Sequence, residues 1–149
     1  MKKITITQIS EKKIKAGNPL LQMEDFPNEL SFDEGELVEL VDSRQKFVAK
    51  AYLAKQNKGV GWVFSLDNAD SFNEAVFKKQ FEKAKRKRTD LQSDPETTTY
   101  RLFNAEGDGI PGVTIDHYDG FAVVSWYSEG IFRYQTAIIA AFQAVFPET

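Results

Sequence analysis

The stretch Tyr100 to Tyr118, YRLFNAEGDGIPGVTIDHY, constrains the chain most tightly. Three glycines and a proline (Gly107, Gly109, Pro111, Gly112) stand between two apolar runs. Glycine supplies positive φ at little steric cost, and Pro111 cannot donate to a β-ladder, so the chain must reverse here. Tyr100 to Asn104 reads as the strand before the turn. Val113 to Tyr118, β-branched and alternating in polarity, reads as the strand after it. Asp119-Gly120 between apolar runs is a strong signal for a type I′ hairpin. The run Phe121 to Tyr127 then returns antiparallel, giving a three-stranded meander.

Gly107 to Gly112 also spells G-x-G-x-x-G. A dinucleotide loop requires a helix opening at the third glycine, with its N-terminus facing a pyrophosphate. Here a strand follows, and Asp108 would direct negative charge at the phosphates. The spelling is therefore read as a turn. Glu106, Asp108 and Asp116 lack the spacing of a calcium loop, and carboxylates in glycine turns commonly accept backbone N–H groups. His117, the single histidine, alternates along a strand, and no serine sits in a nucleophile turn, so neither is assigned chemistry.

Elsewhere, Lys3 to Thr7 reads as a strand. A short helix follows, with Ser10 as N-cap, Ile9 and Ile14 as a hydrophobic staple, and Gly17 as its end. Residues 18 to 34 are turn-rich. Strands are predicted over 36–41, 46–54 and 60–66. Phe47, Ala49, Ala51 and Leu53 share one face of the second; Val60, Trp62, Phe64 and Leu66 share one face of the third. Such alternation argues for a small, curled antiparallel sheet, with SH3-like and OB-like barrels permitted equally. Trp62 and the strand phenylalanines are read as core. Asn18 and Arg44, in loops of this unit, are candidates for RNA contact.

A helix is predicted from Phe72 to Leu91, capped by Asp70 or Ser71, with Val76, Phe77, Phe81, Ala84 and Leu91 near one face. Its other side carries Lys78, Lys79, Lys83, Lys85, Arg86, Lys87 and Arg88. Charge matters at this point. The 19 basic and 22 acidic residues divide unevenly: seven basic and one acidic fall between residues 78 and 88, leaving 12 and 21 elsewhere. Two readings stay open, a solvated connecting helix or a phosphate contact for RNA. Residues 92 to 99 have linker chemistry. A last helix carries an apolar stripe of Tyr134, Ala137, Ile138, Ala141, Phe142 and Val145, and Pro147 stops it. The absence of cysteine excludes a disulfide scaffold and thiolate metal ligation. No apolar run approaches the roughly 18 residues of a membrane span, and no signal peptide is read.

Tyr100-Arg101-Leu102 through Glu106, Asp108, Pro111-Gly112, Asp116 and Tyr118 resembles the central segment of a methyltransferase family. This is the S-adenosylmethionine-dependent large-subunit ribosomal RNA methyltransferases that make 5-methylcytosine. The resemblance is specific over residues 100 to 147 and looser over residues 1 to 70, where Asn18-Pro19-Leu20 replaces the family's His-Pro-Trp. It implies an α+β chain in three parts. A PUA-like pseudo-barrel occupies 1–70, a basic helix and linker 71–99, and a meander packed on a helix 100–149.

It further implies ribosomal RNA as partner; the charge reading places that contact on Lys78, Lys79, Lys83, Lys85, Arg86, Lys87 and Arg88, and the lack of cysteine fits a cytoplasmic location. No catalytic residue, metal or cofactor is assigned to this chain, since a 5-methylcytosine enzyme needs a cysteine nucleophile. S-adenosylmethionine would bind a C-terminal Rossmann-like domain of the same polypeptide, beyond Thr149. A homodimer, a stand-alone RNA-binding module and a protein-interaction domain without a nucleic-acid role all stay open.

Overall fold

The computed structural model describes residues 1–56 and 59–149. It is mixed α+β and divides into two compact units. The first comprises Met1–Asp70 with Ser128–Arg133, the second Ser71–Tyr127 with Tyr134–Thr149.

The first unit is built on a five-stranded sheet. Its strands are β1 (Lys2–Thr5), β2 (Leu20–Leu21), β3 (Leu37–Val41), β4 (Phe47–Gln56) and β5 (Gly59–Ser65), in the order β1-β3-β4-β5-β2. All neighbours are antiparallel except β1, which lies parallel to β3. This strand departs from the all-antiparallel expectation. A parallel neighbour needs a long crossover, and helix α1 (Gln8–Lys15) lies in the connection from β1 to β3. Ile6, Ile14, Leu21, Phe26, Val38, Leu40, Ala49, Ala51 and Leu53 form the buried core.

Strand β4 is buried from Val48 to Ala54, on both faces. Its apolar alternation of Phe47, Ala49, Ala51 and Leu53 describes only one of them. The short helix α4 (Glu129–Phe132) belongs to this unit, and a Cβ on Gly130 would stand 2.5 Å from that of Ala54. Only glycine permits so close an approach. Lys50 is buried too, and its Nζ donates to the Asp70 carbonyl at 2.6 Å.

On β5 the expected face of Val60, Trp62, Phe64 and Leu66 does not persist. A register shift pairs Lys50 with Ser65 but Ala51 with Val63, so Phe64 is an extra residue and the alternation breaks. Val63 and Phe64 are both buried, while Leu66 lies past the strand and is exposed. Trp62 is half-buried, and its Nε1 donates to Gln56 Oε1 at 2.9 Å.

The N-terminus of α1 is also corrected. Thr7 is the N-cap, accepting from the Ser10 amide at 3.1 Å, and Ser10 lies inside the helix, buried. Ile9 is 82% exposed, so no staple forms, although Ile14 is core. Gly17, at φ 104°, ends the helix as expected. The turn-rich region holds what sequence reading missed. Asp25 is buried; its carboxylate accepts from the Gln22 amide at 2.7 Å and from Lys13 Nζ at 2.8 Å. Its carbonyl accepts from the Thr7 amide at 3.0 Å.

The second unit packs helices α2 (Glu74–Lys87), α3 (Thr89–Ser93) and α5 (Gln135–Val145) with a meander of β6 (Thr99–Asn104), β7 (Val113–Tyr118) and β8 (Phe121–Trp126). Asp119 and Gly120, at φ 44° and 92°, make the type I′ geometry expected between β7 and β8. Phe81 stands between Phe103 and Phe142, with centroids 4.8 and 5.6 Å away, so one ring ties α2 to β6 and to α5. Three expectations for the long helix are corrected. Asn73, not Asp70 or Ser71, is its cap, accepting from the Val76 amide. The helix ends at Lys87, with Arg88 at φ −113° and ψ 21°. Leu91, on α3, is exposed.

Replacing Asp25 with alanine leaves the half-buried Gln22 amide without its carboxylate acceptor and frees Lys13. Urea denaturation should show a loss of about 2–3 kcal/mol, whereas Ile9→Ala should change stability by less than about 0.5 kcal/mol.

Candidate nucleic-acid interface

The seven basic residues of 78–88 separate by what each one touches. Helical geometry sets the division. Phe77, Phe81 and Ala84 point into the second unit's core, and at 100° per residue Lys79, Lys83 and Arg86 fall on the opposite side. Lys79, Lys83 and Arg86 are exposed and Lys78 half-buried; among the described residues none of the four has an ion pair or side-chain hydrogen bond.

The other three are committed to the unit itself. Lys85 Nζ donates to the Val145 carbonyl at 3.0 Å and lies 5.4 Å from the Phe146 ring centre, so it closes the C-terminal end of α5. Lys87 Nζ donates to Asp108 Oδ1 at 3.3 Å. Arg88 acts as a clamp. Its Nη2 reaches Asp108 Oδ2 at 2.7 Å, its Nε donates to the Arg101 carbonyl at 2.8 Å, and an Nη1–H reaches the Ala84 carbonyl at 3.3 Å.

Asp108 is therefore the hub of the glycine turn. Its side chain is only 4% exposed, and Oδ2 also accepts the Asn104 amide at 2.7 Å. Burial alone would raise this carboxyl; the Arg88 guanidinium, the Asn104 amide and Lys87 outweigh burial and hold it below its ordinary 3.8. The turn itself is a 3₁₀ segment, Ala105–Asp108, closed by Gly109 at φ 97°, and the next element is β7, beginning at Val113. No helix opens there. Nor is there a cradle, since the side where a Cβ on Gly109 would stand is filled by the Gln80 amide, 2.7 Å away. These residues do not fit a nucleoside cofactor. Asp116 pairs instead with Arg101 at 2.7 Å, and among the described residues no group of three or more His, Cys, Asp or Glu could hold a metal ion. His117 stacks on Tyr100 at 4.9 Å, and its Nε2 accepts the Gly120 amide at 3.2 Å.

The first unit presents a cleft of about 650 Å³ where the β1–α1 junction faces the β3–β4 turn. Arg44 and Lys46 line it with Thr5, Thr7, Gln8 and Glu11. Asp42 Oδ1 accepts the Arg44 and Lys46 amides at 2.8 and 2.9 Å, and the Lys46 amide foremost lowers the Asp42 carboxyl. Gln45, at φ 65°, ties the turn to Thr5 through its side-chain amide. Arg44 and Lys46 thus stand on a fixed loop without ion pairs of their own among the described residues. Sequence reading singled out Arg44 and missed Lys46. The signal was an aspartate with basic residues two and four positions later. Asn18 serves a local role, its Oδ1 accepting the Leu20 amide at 3.1 Å.

No helix among the described residues is long and apolar enough to cross a membrane. Residues 4–66 match the PUA-like domain family. Over 143 residues the chain is 40% identical to Bacillus subtilis YwbD, which bears a provisional name as a ribosomal RNA large subunit methyltransferase; the match covers 95% of this chain and 36% of YwbD. It is 32% identical over 114 residues to ribosomal RNA large subunit methyltransferase I of Cronobacter sakazakii, covering 76% of this chain and 29% of that protein. Among solved structures, a chain from Streptococcus mutans provisionally described as a SAM-dependent methyltransferase superposes with a TM-score of 0.92 at 42% identity. That likeness covers 99% of this chain and 39% of the other. A second provisional methyltransferase structure, complexed with SAH, superposes with a TM-score of 0.93, covering 38% of that chain. The chain spans between 29% and 39% of the length of these proteins.

The Asp108–Arg88 pair gives a pH prediction. The folded pKa lies below the unfolded one, so the pair's contribution is complete above 3.8 and is lost as pH falls through the folded value. Asp108→Asn should lower stability at pH 7 by about 2–4 kcal/mol and flatten the acid limb of a pH–stability curve measured in urea. With that assignment of charge, the chain carries a PUA-like domain and is homologous to the large-subunit ribosomal RNA methyltransferases.

Proposed function

We propose that this chain is the RNA-recognition portion of an S-adenosylmethionine-dependent methyltransferase that makes 5-methylcytosine in large-subunit ribosomal RNA. One observation carries the RNA contact. In a chain that is otherwise strongly acidic, Lys79, Lys83 and Arg86 stand in a row on the solvent face of α2, without an ion pair or side-chain hydrogen bond among the described residues. Burial on one side fixes the helix, so the row is held in place without using its own charges. Such an array is what a phosphate backbone binds, by charge and spacing rather than by base identity.

The reading assigns Lys78 to the same surface, and gives Lys85, Lys87 and Arg88 a supporting share in the field. Arg44 and Lys46 offer a second anion contact in the cleft of the first unit. The division of labour follows the three segments read from the sequence: 1–70 for RNA recognition, 71–99 for phosphate contact, 100–149 leading to a methyltransferase domain. That domain, of the same polypeptide, holds S-adenosylmethionine and supplies the methyl group. It also supplies the cysteine that adds to the base, since this chain contains none. The protein works in the cytoplasm and not at a membrane. Self-association remains open and is not needed for this reading.

Titrating a structured fragment of large-subunit ribosomal RNA against salt tests the contact. Affinity should fall with salt, and Lys79→Ala, Lys83→Ala and Arg86→Ala together should flatten the log–log slope by about 2–3. An unchanged slope in a folded triple variant would remove the α2 contact.

A further inference from the structure

The cleft of the first unit carries more than an anion contact. Its volume of about 650 Å³ suits a ligand of nucleotide size. The β3–β4 turn contributes Arg44 and Lys46, both exposed and without an ion pair among the described residues. The facing first turn of α1 contributes Gln8 and Glu11, and Pro27 adds an exposed apolar ring. Glu11 argues against a bare anion, which a carboxylate in the same cleft repels. Cations on one wall and an acceptor on the other call for a ligand with an anionic end and a hydrogen-bonding end.

Both walls are fixed before a ligand arrives. The Asp42 carboxylate holds the turn through the Arg44 and Lys46 amides, Gln45 ties it to Thr5, and Thr7 caps α1. A site formed in advance loses little freedom on binding. The acceptor also discriminates. Glu11 Oε2 accepts from Lys15 Nζ at 3.1 Å, and a carboxylate has about four acceptor positions, so capacity remains. Two oxygens side by side match two donors side by side. Among the RNA bases only guanine offers these, N1–H and N2–H on its Watson–Crick edge. Adenine and cytosine present one amino group next to an acceptor, and uracil one N–H between two carbonyls. Gln8, one turn before Glu11 on α1, has an amide that can donate to guanine O6.

We infer that this cleft takes one unstacked guanine nucleotide, with its 5′-phosphate at Arg44 and Lys46 and its base edge at Glu11 and Gln8. Single-stranded RNA and the free mononucleotide present the same chemistry. As an RNA site the cleft rests on the proposed function and deepens it, adding base identity to the sequence-blind phosphate contact of α2.

Nuclear magnetic resonance titration of the protein with the four ribonucleoside 5′-monophosphates tests this, read at the amides of Gln8, Glu11, Arg44 and Lys46. GMP should shift all of them, with a Kd at least about tenfold below that of UMP. Glu11→Gln should remove about tenfold of that preference and change UMP binding little. Arg44→Ala with Lys46→Ala should weaken every nucleotide alike. A single-stranded RNA with one unpaired guanosine should displace GMP, and the same strand with uridine in its place should not. GMP binding that such RNA fails to displace would uphold the cleft and assign it to the free nucleotide. Unshifted amides, or equal affinity for all four nucleotides, would overturn the inference. Neither result alters the salt slope attributed to α2, so the proposed function stands or falls separately.

Discussion

The second unit depends on a single buried carboxylate. Asp108 holds the end of α2 through Arg88, the end of β6 through the Asn104 amide, and the glycine turn through its own backbone. A charge so thoroughly removed from water costs more than its Coulomb attraction returns unless every lone pair is used. Here Arg88, Lys87 and Asn104 use them. The consequence for function is indirect but strict. Because the cation next to the core is consumed by Asp108, the helix is locked with its remaining cations outward.

This consumption also separates structure from binding within one charge run. Composition counts seven basic residues in eleven positions, and all seven look alike in a linear reading. Three dimensions sort them. Lys85 satisfies a helix-end carbonyl, Arg88 and Lys87 satisfy Asp108, and Lys78, Lys79, Lys83 and Arg86 satisfy nothing else in their unit. Of these, Lys79, Lys83 and Arg86 are held on the face opposite the buried Phe77 and Phe81 rings, as a phosphate-binding surface requires.

Much of the fold was legible because its signals are local. Asp119-Gly120 announces a turn type on its own, as does Gly17 at a helix end, and both stand as expected. The meander followed from these signals and from alternation. What sequence could not show was tertiary. Ser10 and Thr7 have the same capping chemistry, and only the core's demand for Ile14 decides between them. The bulge that buries Phe64 beside Val63 depends on a partner strand, so alternation alone misassigns it. Asp25 and Asp108 both look like surface carboxylates until their partners, at 12 and 20 residues' separation, are brought to them. The parallel placement of β1 leaves no trace in β1 itself.

Ultraviolet cross-linking of the full-length protein to large-subunit ribosomal RNA, with the attached peptides read by mass spectrometry, tests this account most directly. It should place cross-links on the outward face of α2, within Lys79 to Arg86, and fewer at Lys85, Lys87 and Arg88. Cross-links confined to other segments, with α2 unmodified, would contradict the assignment of its free cations to RNA.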